Sequence, residues 1–233
     1  AHAFIDASMK VPITAEMIAE AKNLRIISTA TTGSNHIDQD SLAKRSIVLA
    51  TLKEDREFLS NITPAAEHSW ALLMALARKL PTALSSVIEG HWSREDFPGI
   101  MLNGKILGII GCGRIGQWMA RYAHAFGMSV QGNDPYVSPW PKDINKVSLK
   151  TVFASSDFIT VHVHLSDDTR HLIGSQLFSQ VKSGAIFINT SRGAITDETA
   201  LLDALRSGRL GGAGVDVLDG EPNIDNHPLV QYA

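Results

Sequence analysis

Cysteine is almost missing from this chain. With one thiol, Cys112, in 233 residues, no internal disulfide can form, and nothing points to an oxidising compartment; a cytoplasmic location is expected. Long apolar runs are also lacking. No stretch approaches the roughly eighteen residues that a membrane span needs, and no basic-then-apolar leader opens the sequence. Nor does one sign of charge prevail. Lys and Arg total 21 against 24 Asp and Glu, without long runs of either. That removes the electrostatic footprint of a nucleic-acid or membrane-surface binder. A small molecule is the expected partner.

What is present is alternation. Short apolar runs exchange with helix-like segments, the pattern of strands joined by crossover helices in a parallel sheet. Strands are predicted over 24–28 and 47–52, with the polar, Gly-containing loop Thr29-Ala-Thr-Thr-Gly-Ser-Asn35 after the first. Loops at such strand ends are where open α/β folds gather ligands. Thr63-Pro64 reads as an N-cap and first helical residue, opening a helix that runs to near Pro81. Trp70, Leu72, Leu73, Met74, Leu76 and Leu80 leave it little polar face, so a domain or subunit neighbour is expected to cover it. It serves as a connector between a unit over 1–63 and another over 64–233. Beyond it, five parallel strands are predicted at 105–111, 129–134, 158–165, 185–191 and 213–218. Ile115, Met119, Tyr122 and Phe126 stripe the first crossover helix. Thr196 is the expected N-cap of a helix ending near Gly208.

Gly111-Cys-Gly-Arg-Ile-Gly116 lies between the first of these strands and the striped helix. In such a turn the first glycine permits the tight bend and the second lets backbone approach a pyrophosphate. The third lets helix and strand pack closely, and the helix amino end faces the phosphates. Asp134 follows Gly116 by 18 residues at the end of the next strand, where a carboxylate accepts from ribose hydroxyls and repels a 2′-phosphate. Neither Pro135 nor Tyr136 supplies a compensating cation, so NAD is expected rather than NADP. The bland alternative is a tight turn and a loop-starting acid. Cys112, in the same loop, reads as a position needing a small residue rather than as a reactive thiol. The fold class expected is α/β: a Rossmann-type doubly wound parallel sheet, with a partial flavodoxin-like substrate domain before it.

Four segments carry a family resemblance: Thr32-Gly-Ser-Asn-His-Ile-Asp38, the glycine turn, 156–174, and Ile188-Asn-Thr-Ser-Arg-Gly193 with Gly214-Val-Asp-Val-Leu-Asp-Gly-Glu-Pro222. On these the chain resembles the D-isomer-specific 2-hydroxyacid dehydrogenases, which include phosphoglycerate, glycerate, lactate and formate dehydrogenases. The resemblance implies hydride transfer between a small 2-hydroxy or 2-oxo acid and NAD, phosphoglycerate dehydrogenase-like. It implies that Arg192 grips the substrate carboxylate and polarises its carbonyl, a task suited to a planar, permanently charged fork. Glu221 matches the acid that orients a catalytic histidine. Gly111, Gly113, Arg114, Ile115, Gly116, Asp134, His162, Thr169, Thr190 and Asp216 fall at cofactor positions, Asp216 at that holding the nicotinamide carboxamide. Thr32 and Gly33 match the loop receiving the substrate carboxylate, and a homodimer is implied.

The histidine itself belongs to a Pro-His motif that the resemblance places beyond Ala233, past another strand. The sequence also begins at Ala1 rather than Met, and the first strands of the substrate domain are expected to be missing. It therefore reads as a chain truncated at both ends, with an uncovered edge strand near 215–218. His227 sits at a structural Asn-His-Pro-Leu position. His164 stands where the family usually has proline. His162 and His164, two apart on a predicted strand, could pair at a metal, but no third ligand has suitable spacing and no metal is expected. Two other readings stay open: an inactive NAD-binding fragment, and an NADH-sensing co-repressor-like module.

Overall fold

Two units of unequal size share the chain, Ala1–Ile62 and Thr63–Ala233; the computed structural model describes residues 1–7 and 11–232. The first unit is a three-stranded parallel sheet of β1 (Ala3–Asp6), β2 (Ile26–Thr29) and β3 (Val48–Ala50), in that order. Helices α1 (Ala15–Glu20), α2 (Gln39–Lys44) and α3 (Arg56–Ser60) complete it. Thr14 and Asp38 cap α1 and α2, each side chain accepting a backbone N–H three residues on. Ile13, Ile18, Ile27, Ile37, Leu42 and Ile47 form its core. β1 adds a strand that the sequence reading does not predict. It is four residues long, and its three-residue apolar run Ala3-Phe4-Ile5 is too short to announce a strand.

The second unit opens with α4 (Pro64–Ala77) and α5 (Leu80–Ile88). The sequence predicts one helix to Pro81; the chain instead breaks at Lys79, whose φ is 52°. Proline has no N–H to continue the ladder and its ring collides with the carbonyl four residues back, whereas in the first turn of a new helix it costs nothing. Thr63 precedes the helix, but its hydroxyl donates to Glu67 Oε1 (2.5 Å) rather than capping a backbone group. There follow β4 (Ile106–Ile110), α6 (Arg114–Ala125), β5 (Ser129–Asn133), β6 (Asn145–Lys146), α7 (Leu149–Ser155) and β7 (Phe158–Val161). Then come α8 (Ser175–Phe178), β8 (Ala185–Asn189), α9 (Glu198–Arg206), β9 (Leu210–Val215) and α10 (Pro228–Tyr232).

All pairings in this sheet are parallel, in the order β6-β5-β4-β7-β8-β9, one strand more than expected. The addition, β6, is a two-residue edge strand with no apolar run. β9 also spans Leu210–Val215 rather than 213–218, because Leu210-Gly-Gly212 reads as a glycine loop. A Cβ at Gly214 would come within 3.2 Å of Leu72 and Leu76 on α4, so close helix packing requires what looks like a strand breaker. Asp197, not Thr196, caps α9, accepting from the Ala200 N–H (3.1 Å); Thr196 is buried in extended conformation.

The central strands β4, β7 and β8 are buried on both faces, as a sheet covered by helices on each side demands. Successive residues of β8 go opposite ways: Ile186 and Ile188 pack with α4 and α6, while Phe187 joins Phe153, Phe178 and α9. The Phe187 and Phe153 rings meet Phe178 edge-on, with centroids at 5.5 and 5.8 Å. Among the described residues no single helix is long and apolar enough to cross a membrane.

Phe187 is fully buried, so Phe187→Ala is expected to lower unfolding stability by about 3–5 kcal/mol. Lys150→Ala, on an exposed position of α7, should lie within about 0.5 kcal/mol of the parent. Urea denaturation of both variants checks the contrast.

Candidate functional site

In a parallel sheet every carboxyl strand end lies along one edge, and the second unit's candidate groups hang from it. After β4 the chain turns at Gly111, with φ 91°. A Cβ there would stand 2.5 Å from the His162 carbonyl oxygen, and one at Gly116 would stand 2.2 Å from the Gly111 carbonyl oxygen. Packing therefore accounts for the first and third glycines. At Gly113 a Cβ would meet nothing within 4 Å, so packing makes no demand there; a side chain would only fill the space before α6. Gly113 caps α6 without a side-chain hydrogen bond, leaving first-turn amides and the positive dipole end directed at that space. Arg114 and Ile115 occupy this turn, both half-buried.

Asp134 is half-buried and already engaged. Its Oδ2 accepts from the Cys112 N–H (2.9 Å), and its Oδ1 from the Tyr136 (2.8 Å) and Val137 (3.1 Å) N–H groups. The carboxylate thus ties the glycine turn to the loop after β5, which includes the structural task of the bland alternative. A carboxylate has about four acceptor positions, so capacity for a further donor remains. Cys112 is buried, and burial together with Asp134 pushes its thiol up to about 12; it is a packing residue beside Gly132.

β7 ends at Val161, so His162 and His164 lie beyond the strand, not paired along it as predicted. His162 Nε2 is 2.8 Å from Thr160 Oγ1, and burial depresses its imidazole to about 3. His164 is exposed, and its carbonyl accepts from Thr169 Oγ1 (2.7 Å), which also receives the Ser166 N–H (2.8 Å). Thr169 thereby organises its own loop.

The turn after β8 is built around the buried Asn189 amide. Its Oδ1 accepts from the Ser191 N–H (3.0 Å), while Nδ2 donates to the Arg192 carbonyl (3.0 Å) and Thr196 Oγ1 (3.4 Å). Thr190 Oγ1 meets Ser69 Oγ at 2.6 Å, pinning the turn to α4. Arg192 is half-buried, and its Nη1 donates to the Ser191 carbonyl (2.7 Å). Among the described residues it has no carboxylate at ion-pair distance.

Asp216, just past β9, has its carboxyl raised by burial; His68 opposes that shift, with Oδ2 3.3 Å from His68 Nε2. Glu221 and Arg192 also act on it electrostatically. Glu221 is exposed, and its Oε2 accepts from the Leu218 N–H (3.2 Å). His227 pairs with Glu198 at 2.9 Å, away from Glu221. Thr32 and Gly33 lie in the first unit, both half-buried; the Gly33 carbonyl accepts from Thr31 Oγ1 (2.7 Å). The structure thus gathers the glycine turn with Asp134, and Arg192 with Asp216 and Glu221. His68, Ser69 and Asn189 were not foreseen. A signal existed for His68, which lies one turn before Leu72 on the stripe that packs against β9.

A sheet in this order, reversing direction beside β4, defines a dinucleotide-type doubly wound domain, whose ligands sit at that reversal. Residues 70–233 match the family described as D-isomer specific 2-hydroxyacid dehydrogenase, NAD binding domain, and the chain belongs to that family. It is 40% identical over 222 residues to D-3-phosphoglycerate dehydrogenase of Archaeoglobus fulgidus, covering 94% of this chain and 41% of the relative. The chain therefore spans less than half the length of that curated relative. A solved D-lactate dehydrogenase from Aquifex aeolicus, complexed with NAD and lactic acid, superposes with TM-score 0.85 at 29% identity, over 100% of this chain and 68% of its own. An acyclic imino acid reductase in complex with NADPH and D-Arg gives TM-score 0.86 at 31% identity, over 99% and 72%.

Gly111→Ala should cost about 1–3 kcal/mol through its backbone clash and positive φ, whereas Gly113→Ala should leave thermal stability nearly unchanged; melting curves decide. A second expectation concerns acid. With the folded His162 pKa at about 3 and an unfolded value of about 6.5, the unfolded chain holds the extra proton between these limits, so His162 makes stability fall as pH drops through that window. The pH dependence of urea stability should be shallower for His162→Asn, by up to about 1 kcal/mol per pH unit.

Proposed function

We propose that this chain supplies the NAD-binding unit, over 64–233, and part of the substrate-binding unit, over 1–63, of an NAD-dependent D-2-hydroxyacid dehydrogenase of phosphoglycerate dehydrogenase type. The observation that carries this reading is Arg192: a half-buried guanidinium at the carboxyl end of β8, with no carboxylate partner among the described residues. A fixed cation with no carboxylate at ion-pair distance keeps its donors for an anionic ligand.

The glycine turn and the amino end of α6 would hold the pyrophosphate, and the open space at Gly113 fits that approach. Asp134 would accept from the ribose hydroxyls, Arg114 and Ile115 would line the turn, and His162, Thr169 and Thr190 would border the dinucleotide. Asp216 would receive the nicotinamide carboxamide. When bound, the cofactor's ring supplies the hydride chemistry. Arg192 would hold the substrate carboxylate and stabilise negative charge on the carbonyl oxygen; in the first unit, the amides of Thr32 and Gly33 would serve as carboxylate donors. Glu221 would orient the histidine that moves the hydroxyl proton in the whole protein.

Leu80, Leu84, Val87 and Ile88 leave an exposed apolar stripe along α5, which supports a homodimer. The single, buried thiol supports a cytoplasmic location.

Titration with NADH and NADPH, read by energy transfer from tryptophan, tests the cofactor assignment. Wild type should favour NADH by roughly tenfold or more, and Asp134→Asn should shrink that preference by removing the anion opposite the 2′-phosphate. Equal affinity of wild type for both cofactors would refute the role given to Asp134.

A further inference from the structure

Asp216 and Arg192 present an electrostatic problem. They interact through space, yet they are not at ion-pair distance. Paired with each other, the acid would lose its acceptor to the guanidinium, and the guanidinium would lose the charge it needs for a substrate anion. Something has to keep them apart.

We propose that His68 is a positioning residue for Asp216: it engages one carboxylate oxygen, turns the acid away from Arg192, and leaves the other oxygen for an N–H donor of the nicotinamide carboxamide. The proposal rests on the reading of Asp216 as carboxamide acceptor. His68 Nε2 stands 3.3 Å from Asp216 Oδ2, and among the described residues no other cationic side chain reaches Asp216 at ion-pair distance. The histidine's backbone is held firmly. One residue on, Ser69 donates to the Ala65 carbonyl (2.7 Å) and meets Thr190 Oγ1 (2.6 Å). One turn on, Leu72 closes on Gly214, two residues before Asp216. The imidazole is therefore presented to the end of β9 by an anchored helix, not by a mobile loop. Its side chain is 51% exposed, so replacing it leaves the core intact.

The test measures binding of NADH and of ADP-ribose, which shares the pyrophosphate and adenosine but lacks nicotinamide, by titration calorimetry. In His68→Leu, NADH affinity should fall by about tenfold, the scale of one hydrogen bond to a charged group. ADP-ribose affinity should stay within about twofold, and His68→Gln, which keeps an N–H donor, should recover most of the loss. Unchanged NADH affinity in His68→Leu, or equal losses for both ligands, overturns the proposal. Asp216→Ala separates the two layers. If it weakens NADH while His68→Leu does not, only the role of His68 falls; if it leaves NADH binding unchanged, the reading of Asp216 falls and takes the proposal with it.

Discussion

The close passage of Gly111 against the His162 carbonyl fixes where β4 ends relative to β7. Much of the second unit's site depends on that contact. The Gly111 N–H reaches the Asn133 carbonyl at 2.9 Å on one side, and the His162 N–H reaches the Ile110 carbonyl at 2.7 Å on the other. Ser191 Oγ then donates to the Val161 carbonyl at 2.5 Å, carrying the stitching from β7 to the turn after β8. Four neighbouring strand ends are thus placed by backbone geometry before any ligand is considered. A side chain at Gly111 would disturb the start of α6, the Cys112 amide and, through it, the carboxylate of Asp134.

A second constraint comes from α4. Its small and apolar residues pack on β8 and β9 closely enough that a Cβ at Gly214 would be in tight contact with Leu72, Leu76 and Ile188. That closeness brings Ser69 to Thr190 and His68 to Asp216. The helix is thus both a packing element and the source of two polar groups at the sheet's carboxyl edge. The same turn that buries Ala66 and Ser69 leaves Glu67 and His68 exposed, as a helical period of 3.6 requires of residues one position apart.

The sequence made β4, β7 and β8 legible because each is a largely apolar run buried on both faces. It hid β1, whose apolar run is only three residues long, and β6, which has none. It also hid the start of β9, where glycines that serve helix packing resemble a loop. The glycine turn was readable since its spacing encodes backbone geometry. The side-chain contacts around it were not: Asp134 binding three amides, or Asn189 building the turn that holds Arg192, depends on which loops meet in space. His162 shows the same limit. Strand alternation predicted two histidines on one face, but the strand stops one residue earlier, and the ring turns to Thr160.

Charge around Arg192 narrows what a ligand must do. Asp216 and Glu221 both lie close enough to act on one another electrostatically, with Arg192 and His68 opposing them. The two acids outnumber the one guanidinium, so the cluster does not attract anions through its net field. An anionic substrate must gain its binding from directed hydrogen bonds to the guanidinium fork, at short range, where geometry outweighs net charge. Such a site rejects a ligand whose carboxylate is misplaced, because misplacement brings the ligand's charge toward Asp216 or Glu221 instead. Selectivity for an acid group of defined geometry follows from keeping these opposite charges near one another but unpaired.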